Sequence, residues 1–379
     1  NISVNTITDA SGGSTASING LTPQASNMQP HNLIINGAMQ VSQRGTSFTS
    51  QTGVAYHLDR WRTNAYNLGS GQYRIDQSTD APDGFSFSNK VSCTTAEAAQ
   101  NANEQMYFQQ RVEAQNMNWL KFYQANADQV TISFWVKSNR TGSFSAALKL
   151  SDNNSVENNT NTRVYYFTYS ISTSNTWEQK TKTITLDTDV TQVKSTGVNF
   201  GMAIDFWLGA GSSRRGATAN SWINNGNATT LSDNLDMLNS TANDFYITGV
   251  QLEAGSSGSS FAHENVGDTL QKCQRYYQNH AALNYGTNGS YYGYYGGSGA
   301  IYPVTLPVEM RAAPSVSVYQ PTQVQVYKDV GWTNTTITST TQTSSLVVFY
   351  VNNGEANYNK LLSLSGGSTI PTGQMSAEL

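Results

Sequence analysis

Ionisable side chains are scarce in this chain. Only 12% of its 379 residues are Asp, Glu, Lys or Arg, about half the usual share of a soluble globular domain. The net charge is −4, and no Lys/Arg stripe is present to neutralise a phosphate backbone. That excludes a nucleic-acid binder. Arg214-Arg215 is the one basic pair of note and reads as a solvated loop. Histidine occurs four times, as His31, His57, His263 and His280, never at a metal-binding spacing. The Gly-x-Ser-x-Gly elbow, the phosphate loop and the long β-helix period of depolymerase tailspikes are all missing. Glycoside hydrolysis stays open, because it needs only two carboxylates about 5–10 Å apart.

Cysteine and long apolar runs are equally sparse. Cys93 and Cys273 stand alone, 180 positions apart, and two buried free thiols are favoured over a disulfide. No apolar run approaches the roughly 20 residues that span a bilayer. No signal peptide is visible, and the chain opens at Asn1 rather than Met, which leaves room for an N-terminal piece outside this numbering. Only eight residues are proline. Polarity comes instead from Asn, Gln, Ser, Thr and Gly, a neutral hydrogen-bonding surface suited to extracellular β-rich proteins and virion fibres.

What is present is period-two alternation. Val130, Ile132, Phe134 and Val136 share a face, as do Tyr165, Phe167, Tyr169 and Ile171. Residues 198–208 place six apolar side chains at every second position, and Trp177 opens a strand with Ile184 and Leu186 inward. Such strands, separated by turn signals, predict an all-β fold built on an antiparallel sandwich. Residues 245–277 organise the rest. Phe245 and Ile247 face one way, and a glycine bulge at Thr248-Gly249 is needed to bring Val250 and Leu252 to the same face. A small-residue linker, 254–260, follows. Val266, Leu270, Cys273 and Tyr277 then form one helical stripe. Residues 95–102 read as a second candidate helix.

The predicted organisation is an N-terminal segment, 1–31; a sandwich domain, 32–262; a linker helix, 263–280; and a smaller C-terminal β-domain, 281–379. The first segment reads as a thin hairpin that needs a partner, or as a tail. Trp135, Trp207 and Asp205 fall on the outward positions of their strands. They form either a stacking surface for a sugar ring or a surface covered by a loop or neighbouring subunit. Tyr291, Tyr292, Tyr294 and Tyr295, in a Tyr/Gly run, suit either a binding loop or a subunit interface. Asp59-Arg60-Trp61 reads as an Arg paired with a carboxylate and packed on an indole.

Several stretches resemble a widespread family of bacteriophage fibre proteins, common among marine and cyanobacterial phages. They are Asn36-Gly37, 56–61, Gln110-Arg-Val-Glu113, 130–138, Asn175-Thr-Trp-Glu178, 245–255 and Cys273-Gln-Arg-Tyr-Tyr277, in the family's order over about 32–280. The opening 4–13 and the ending Ser376-Ala-Glu-Leu379 resemble the ends of such fibres. The resemblance implies a jelly-roll domain similar to carbohydrate-binding modules, and a homotrimeric tail fibre exposed on the virion. It implies attachment to other tail, neck or capsid proteins through residues 1–31, and a host-surface polysaccharide as ligand. Membrane insertion and catalysis are not expected. The alternatives are a decorating fibre on capsid, collar or neck, and a polysaccharide-degrading fibre. Related modules hold a structural Ca²⁺ near the opening Asn-Gly and the closing strand. Here Thr248-Gly249 stands in place of the acidic ligand, leaving Asp59, Asp244 and Glu253 as oxygen candidates. No other cofactor is expected.

Overall fold

A computed structural model describes residues 32–97, 99–152, 162–224, 236–280, 294–296, 299–318, 324–328, 331–352, 364–366 and 373–378. The expected N-terminal hairpin lies outside the described residues. Thirteen strands come first: β1 Ser47–Gln51, β2 Ala55–Tyr56, β3 Arg62–Tyr66, β4 Gln72–Ser78, β5 Ser88–Thr95, β6 Gln105–Glu113, β7 Gln129–Ser138, β8 Gly142–Ser151, β9 Thr162–Ile171, β10 Glu178–Thr185, β11 Phe200–Ala210, β12 Trp222–Asn224 and β13 Asp244–Ala254. After helix α1 (Val266–Gln274) come β14 Tyr277–His280, β15 Tyr294–Gly296, β16 Gly299–Thr305, β17 Ser315–Val318, β18 Val324–Lys328, β19 Gly331–Gln342, β20 Leu346–Asn352, β21 Leu364–Gly366 and β22 Gly373–Ser376.

The chain packs as two units. The first holds the residues up to Met39, Thr49–Val54 and Thr63–His263. The second holds Gln40–Phe48, Ala55–Arg62 and Glu264–Leu379. Two short segments that the sequence assigns to the sandwich domain therefore belong with the C-terminal region.

The first unit is an antiparallel jelly-roll sandwich. One sheet runs β1-β4-β5-β13-β7-β10, and the other runs β12-β9-β8-β11-β6-β3 through this unit. From β5 to β13 the chain passes from one sheet to the other at each step except the β8–β9 hairpin and the β11–β12 return, which stay in one sheet, giving the double Greek-key order. The alternation explains the layering. Val130, Ile132, Phe134 and Val136 of one sheet, and Met202, Ile204, Phe206 and Leu208 of the other, are all buried. Phe134 lies 4.9 Å from Phe206 and 5.1 Å from Tyr169, centroid to centroid, and Phe144 lies 5.7 Å from Phe245. Each such side chain contributes about 1.5–3 kcal/mol by leaving water.

The closing strand carries the expected bulge. Its register against β7 shifts between Thr248 and Gln251, and Gly249 has a φ of +59°. Ile247 and Val250 are thereby both buried. A Cβ at Gly249 would stand 2.7 Å from the Phe85 ring, so the bulge needs glycine twice over.

Beyond Ile247, β13 has no β5 partner. Residues 32–37 take that place. Leu33 N–H donates to Leu252 O (2.9 Å), Val250 N–H to Gly37 O (3.0 Å) and Leu252 N–H to Asn32 Oδ1 (3.0 Å). Gln110 grips the same segment, accepting from Ile35 N–H and donating to Ile35 O, each at 2.8 Å. A Cβ at Gly37 would fall 2.1 Å from Val250 O.

Two expectations need correction. The helix expected at 95–102 is not formed by the residues described there: Thr95 ends β5, and Glu97 N–H bonds to Leu238 O at 3.1 Å, so tertiary pairing overrides local helix propensity. Helix α1 is capped by Asn265, whose Oδ1 accepts from Gly267 N–H at 2.8 Å, and it ends at Gln274. Thr269 and Cys273 are its buried residues, while Val266 is 52% exposed. Tyr277 is buried because it opens β14 against β22, and its fit to the helical stripe is a coincidence of spacing. Cys93 and Cys273 are both free and buried.

In the second unit, β14-β22-β17 form one sheet and β15-β16-β20-β19-β18-β21 another. These strands bear out the β-rich C-terminal region expected from the sequence. The Thr-rich β19 carries little apolar signal and is held as a strand between β18 and β20. Here Arg60 is packed on Tyr276, its Cζ 3.4 Å from the ring centroid, instead of on Trp61. Its carboxylate partner is Glu378 at 2.6 Å.

Candidate functional site

The face of the β1-β4-β5-β13-β7-β10 sheet that points away from the core is built by the same alternation that builds the core. Between the buried Phe134 and Val136 stands Trp135, and between Phe245 and Ile247 stands Tyr246. Lys137 pairs with Tyr246 across the β7–β13 ladder, and Tyr246 pairs with Lys90 across β5. Trp177 sits just ahead of β10, whose Gln179 pairs with Trp135. Trp135, Trp177 and Tyr246 are all half-buried.

Charged groups fix these rings. Trp177 and Tyr246 meet edge to face at 6.1 Å. Lys137 Nζ lies 4.4 Å from the Tyr246 centroid and 5.3 Å from that of Trp177. The Asp80 carboxylate accepts from Lys137 and, at 3.1 Å, from Trp177 Nε1–H. Partial burial alone would raise the Asp80 carboxyl, but the bonds from Lys137 and Trp177 hold it below the usual carboxylate range. Lys90 pairs with Asp244 at 2.9 Å. Burial works against its charge, yet Asp244 and Tyr246 raise it above the ordinary lysine value. The Asp80 side chain is 47% exposed, so a fixed anion and aromatic edges reach solvent together. At the bulge, Trp135 and Phe85 close over Gly249, and Phe85 packs on Phe261 (5.0 Å) and His263 (5.1 Å). This face supplies apolar rings, ammonium donors and carboxylate acceptors held in place. It suits recognition of a ligand with both C–H faces and hydroxyls.

The other candidates lie elsewhere. Asp205 and Trp207 do point away from the sandwich core, but neither has any exposed surface. Asp205 pairs with Lys149 at 2.7 Å and accepts from Gln109 Nε2 at 2.7 Å. Trp207 stacks against Tyr107 at 4.5 Å, beneath Ala217 and Ile223. The connection after β11 folds back over this face, Asn220 N–H donating to Tyr166 O at 2.8 Å and β12 pairing with β9. A covering loop therefore removes both residues from any stacking surface. Arg215, read as solvated, is tied to Gln100 Oε1 and Ala210 O, each at 2.7 Å. Tyr291 and Tyr292 lie outside the described residues. Tyr294 and Tyr295 pair with Ile301 and Ala300 in β15, and their side chains lie outside the described residues.

The three oxygen candidates for Ca²⁺ are engaged separately. Asp59 accepts from Gln43 N–H and Nε2, both at 2.6 Å. Asp244 holds Lys90, and Glu253 accepts from Ser259 N–H and Oγ, both at 2.7 Å. Trp177, Tyr246, Lys137, Lys90 and Asp80 were not singled out by the sequence as site residues. Tyr246 and Lys137 carried a signal, each lying on the outward parity of a strand whose inward positions are plain. Asp80, in the β4–β5 connection, carried none.

No family model matches the chain, and no curated protein matches it. Solved structures give distant likenesses. One is the enzymatically active domain of tailspike protein 4 of bacteriophage CBA120, at 12% identity and a TM-score of 0.29, covering 59% of this chain and 21% of that one. The chain thus spans about a fifth of the tailspike domain's length. A family 11 carbohydrate-binding module of a Clostridium thermocellum cellulase, at 10% identity and a TM-score of 0.27, covers 57% of this chain and 100% of its own. A Bacteroides thetaiotaomicron protein described as a "putative sugar binding protein", at 10% identity and a TM-score of 0.31, covers 59% of this chain and 100% of its own.

Proposed function

We propose that this chain is a phage tail-fibre protein whose jelly-roll unit binds a host-surface glycan without cleaving it. The observation that carries the reading is the outer sheet face, where half-buried Trp135, Trp177 and Tyr246 are fixed by Lys137, Lys90 and Asp80. Sugar rings offer apolar faces to such aromatics and hydroxyls to the flanking charges. The fibre assignment rests on the family-like motifs of residues 32–280. A homotrimer attached to the particle through residues 1–31 would raise a modest affinity per site by effective concentration.

The test is a titration of the intact chain with host polysaccharide fragments, followed by a measurement of reducing ends. Saturable binding, weakened at least tenfold by Trp177→Ala, with no reducing ends released, is the expected result. Release of reducing ends would replace this reading with that of a degrading fibre. Absence of binding, with the protein located on capsid, collar or neck, would favour a decorating fibre.

A further inference from the structure

Where β5 ends and β6 begins, the first unit brings three carboxylates together. Glu97 follows β5, Glu104 immediately precedes β6, and Asp236 lies ahead of β13. One oxygen from each lies within 4.8 Å of the other two. Glu104 has no exposed surface and Glu97 is 6% exposed.

The oxygen inventory is incomplete. Glu97 Oε2 accepts from Gly69 N–H at 3.1 Å, Glu104 Oε1 from Gln100 Nε2 at 3.0 Å, and Asp236 Oδ1 from Leu238 N–H at 2.8 Å. Glu97 Oε1 and Glu104 Oε2 are buried and accept no hydrogen bond. Among the described residues, no Lys or Arg forms an ion pair with any of the three. Arg215 and Arg140 act on Asp236 only through their charge and are committed elsewhere, Arg215 Nη2 to Gln100 Oε1 at 2.7 Å and Arg140 Nη1 to Asn239 Oδ1 at 2.9 Å. A buried carboxylate oxygen with neither donor nor cation is costly.

The backbone is shaped to these oxygens. A Cβ at Gly71 would lie 3.1 Å from Glu97 Oε1, and one at Gly209 would lie 3.4 Å from Glu104 Oε1. Gly211, whose N–H bonds Glu104 O at 2.9 Å, has no room for a Cβ: Asn101 O would be 2.0 Å away.

We propose that Glu97, Glu104 and Asp236 form a calcium site that locks the β5–β6 connection to the segment leading into β13. The donors are all hard oxygens, which select Ca²⁺ or Mg²⁺ over softer metals. Oxygens at about 2.3–2.6 Å from one Ca²⁺ can lie at most about 5 Å apart, and this cluster meets that limit. Cys93 lies nearby, but its Sγ is turned to Leu238 O at 3.7 Å, and a soft sulfur does not suit a hard cation. This site is separate from the Asp59, Asp244 and Glu253 candidates and does not depend on glycan binding.

The experiment is calcium titration of the EDTA-treated full chain, by calorimetry and thermal unfolding, beside a magnesium control. One Ca²⁺ per chain and a saturable rise in Tm of several degrees are expected. Glu104→Gln should abolish both, while its metal-free Tm equals or exceeds that of the metal-free parent. Asp236→Asn should weaken binding at least tenfold, and it decides the matter if Glu104→Gln fails to fold. No calcium heat and no Tm rise in the parent chain would overturn the proposal. Calcium binding left unchanged by both substitutions, or an equal response to magnesium, would do so as well.

Discussion

Arg60 Nη1 lies 2.6 Å from Glu378 Oε2, joining two residues 318 positions apart in the second unit. Glu378 also holds Arg44 at 3.0 Å. Arg60 lies over Tyr276 at 3.4 Å, and Arg44 lies over Tyr277 at 3.5 Å. One carboxylate thus aligns two guanidinium planes on two successive rings. Arg60 is 1% exposed and Glu378 6%. Removing the acid strands a buried cation, at a cost of about 3–5 kcal/mol. Glu378→Gln should therefore lower the stability of the second unit by that order in chemical denaturation. Arg60→Lys should fail to preserve it, because an ammonium neither stacks on a ring nor forms the planar fork.

His57 sits in the same unit, buried, with its ring 4.9 Å from Phe48 and with Arg44 nearby. Burial first, and the Arg44 charge second, lower it to about 4. In the unfolded chain it protonates near pH 6.5. Between those values the unfolded state binds the extra proton, so stability falls as pH drops from about 6.5 to about 4. Denaturation midpoints for this unit should decline across that window, and less steeply in His57→Gln. An unchanged slope would assign the acid sensitivity elsewhere.

The bulge of the closing strand should tolerate no side chain. Gly249→Ala pays for a left-handed φ and also drives a methyl group into Phe85 and Trp135. A loss of about 2 kcal/mol or more is expected from strain and overpacking together. Urea midpoints compared with Gly53→Ala, where a Cβ meets nothing within 4 Å, give the measure.

The tryptophans should separate by role. Trp207→Ala empties a buried position and should cost about 3–5 kcal/mol of stability. Trp135→Ala and Trp177→Ala remove half-buried rings from an outer face, so glycan titration should register them more strongly than thermal unfolding does. If Trp207→Phe weakened binding while Trp177→Ala did not, the assignment of faces would be reversed.

The sandwich was legible because period-two alternation is a local property: Val130 to Val136 and Phe200 to Leu208 each announce a core face within a few residues. The bulge was legible too, since Phe245, Ile247, Val250 and Leu252 share a face only if one residue is added between them. The site was less so. Parity alone cannot tell an open outer face from one sealed by a distant loop, so Trp135 and Trp207 read alike. Only the return of 217–224 across β9 separates them. The carboxylate cluster was not legible, because Glu97, Glu104 and Asp236 meet only when the jelly-roll crossings are in place. The stretch from Thr95 misled in the same way, its helix propensity yielding to the end of β5 and to the Glu97–Leu238 bond.

The segment 32–37 does more than fill space beside β13. It occupies the amides and carbonyls of Val250 and Leu252 on the side that β5 leaves open. Stripped of that plug, the strand would show a bare hydrogen-bonding margin to solvent. In a concentrated solution such a margin recruits a second molecule's strand, so shortening the chain past Asn32 would convert a self-contained sandwich into one that stacks edge to edge.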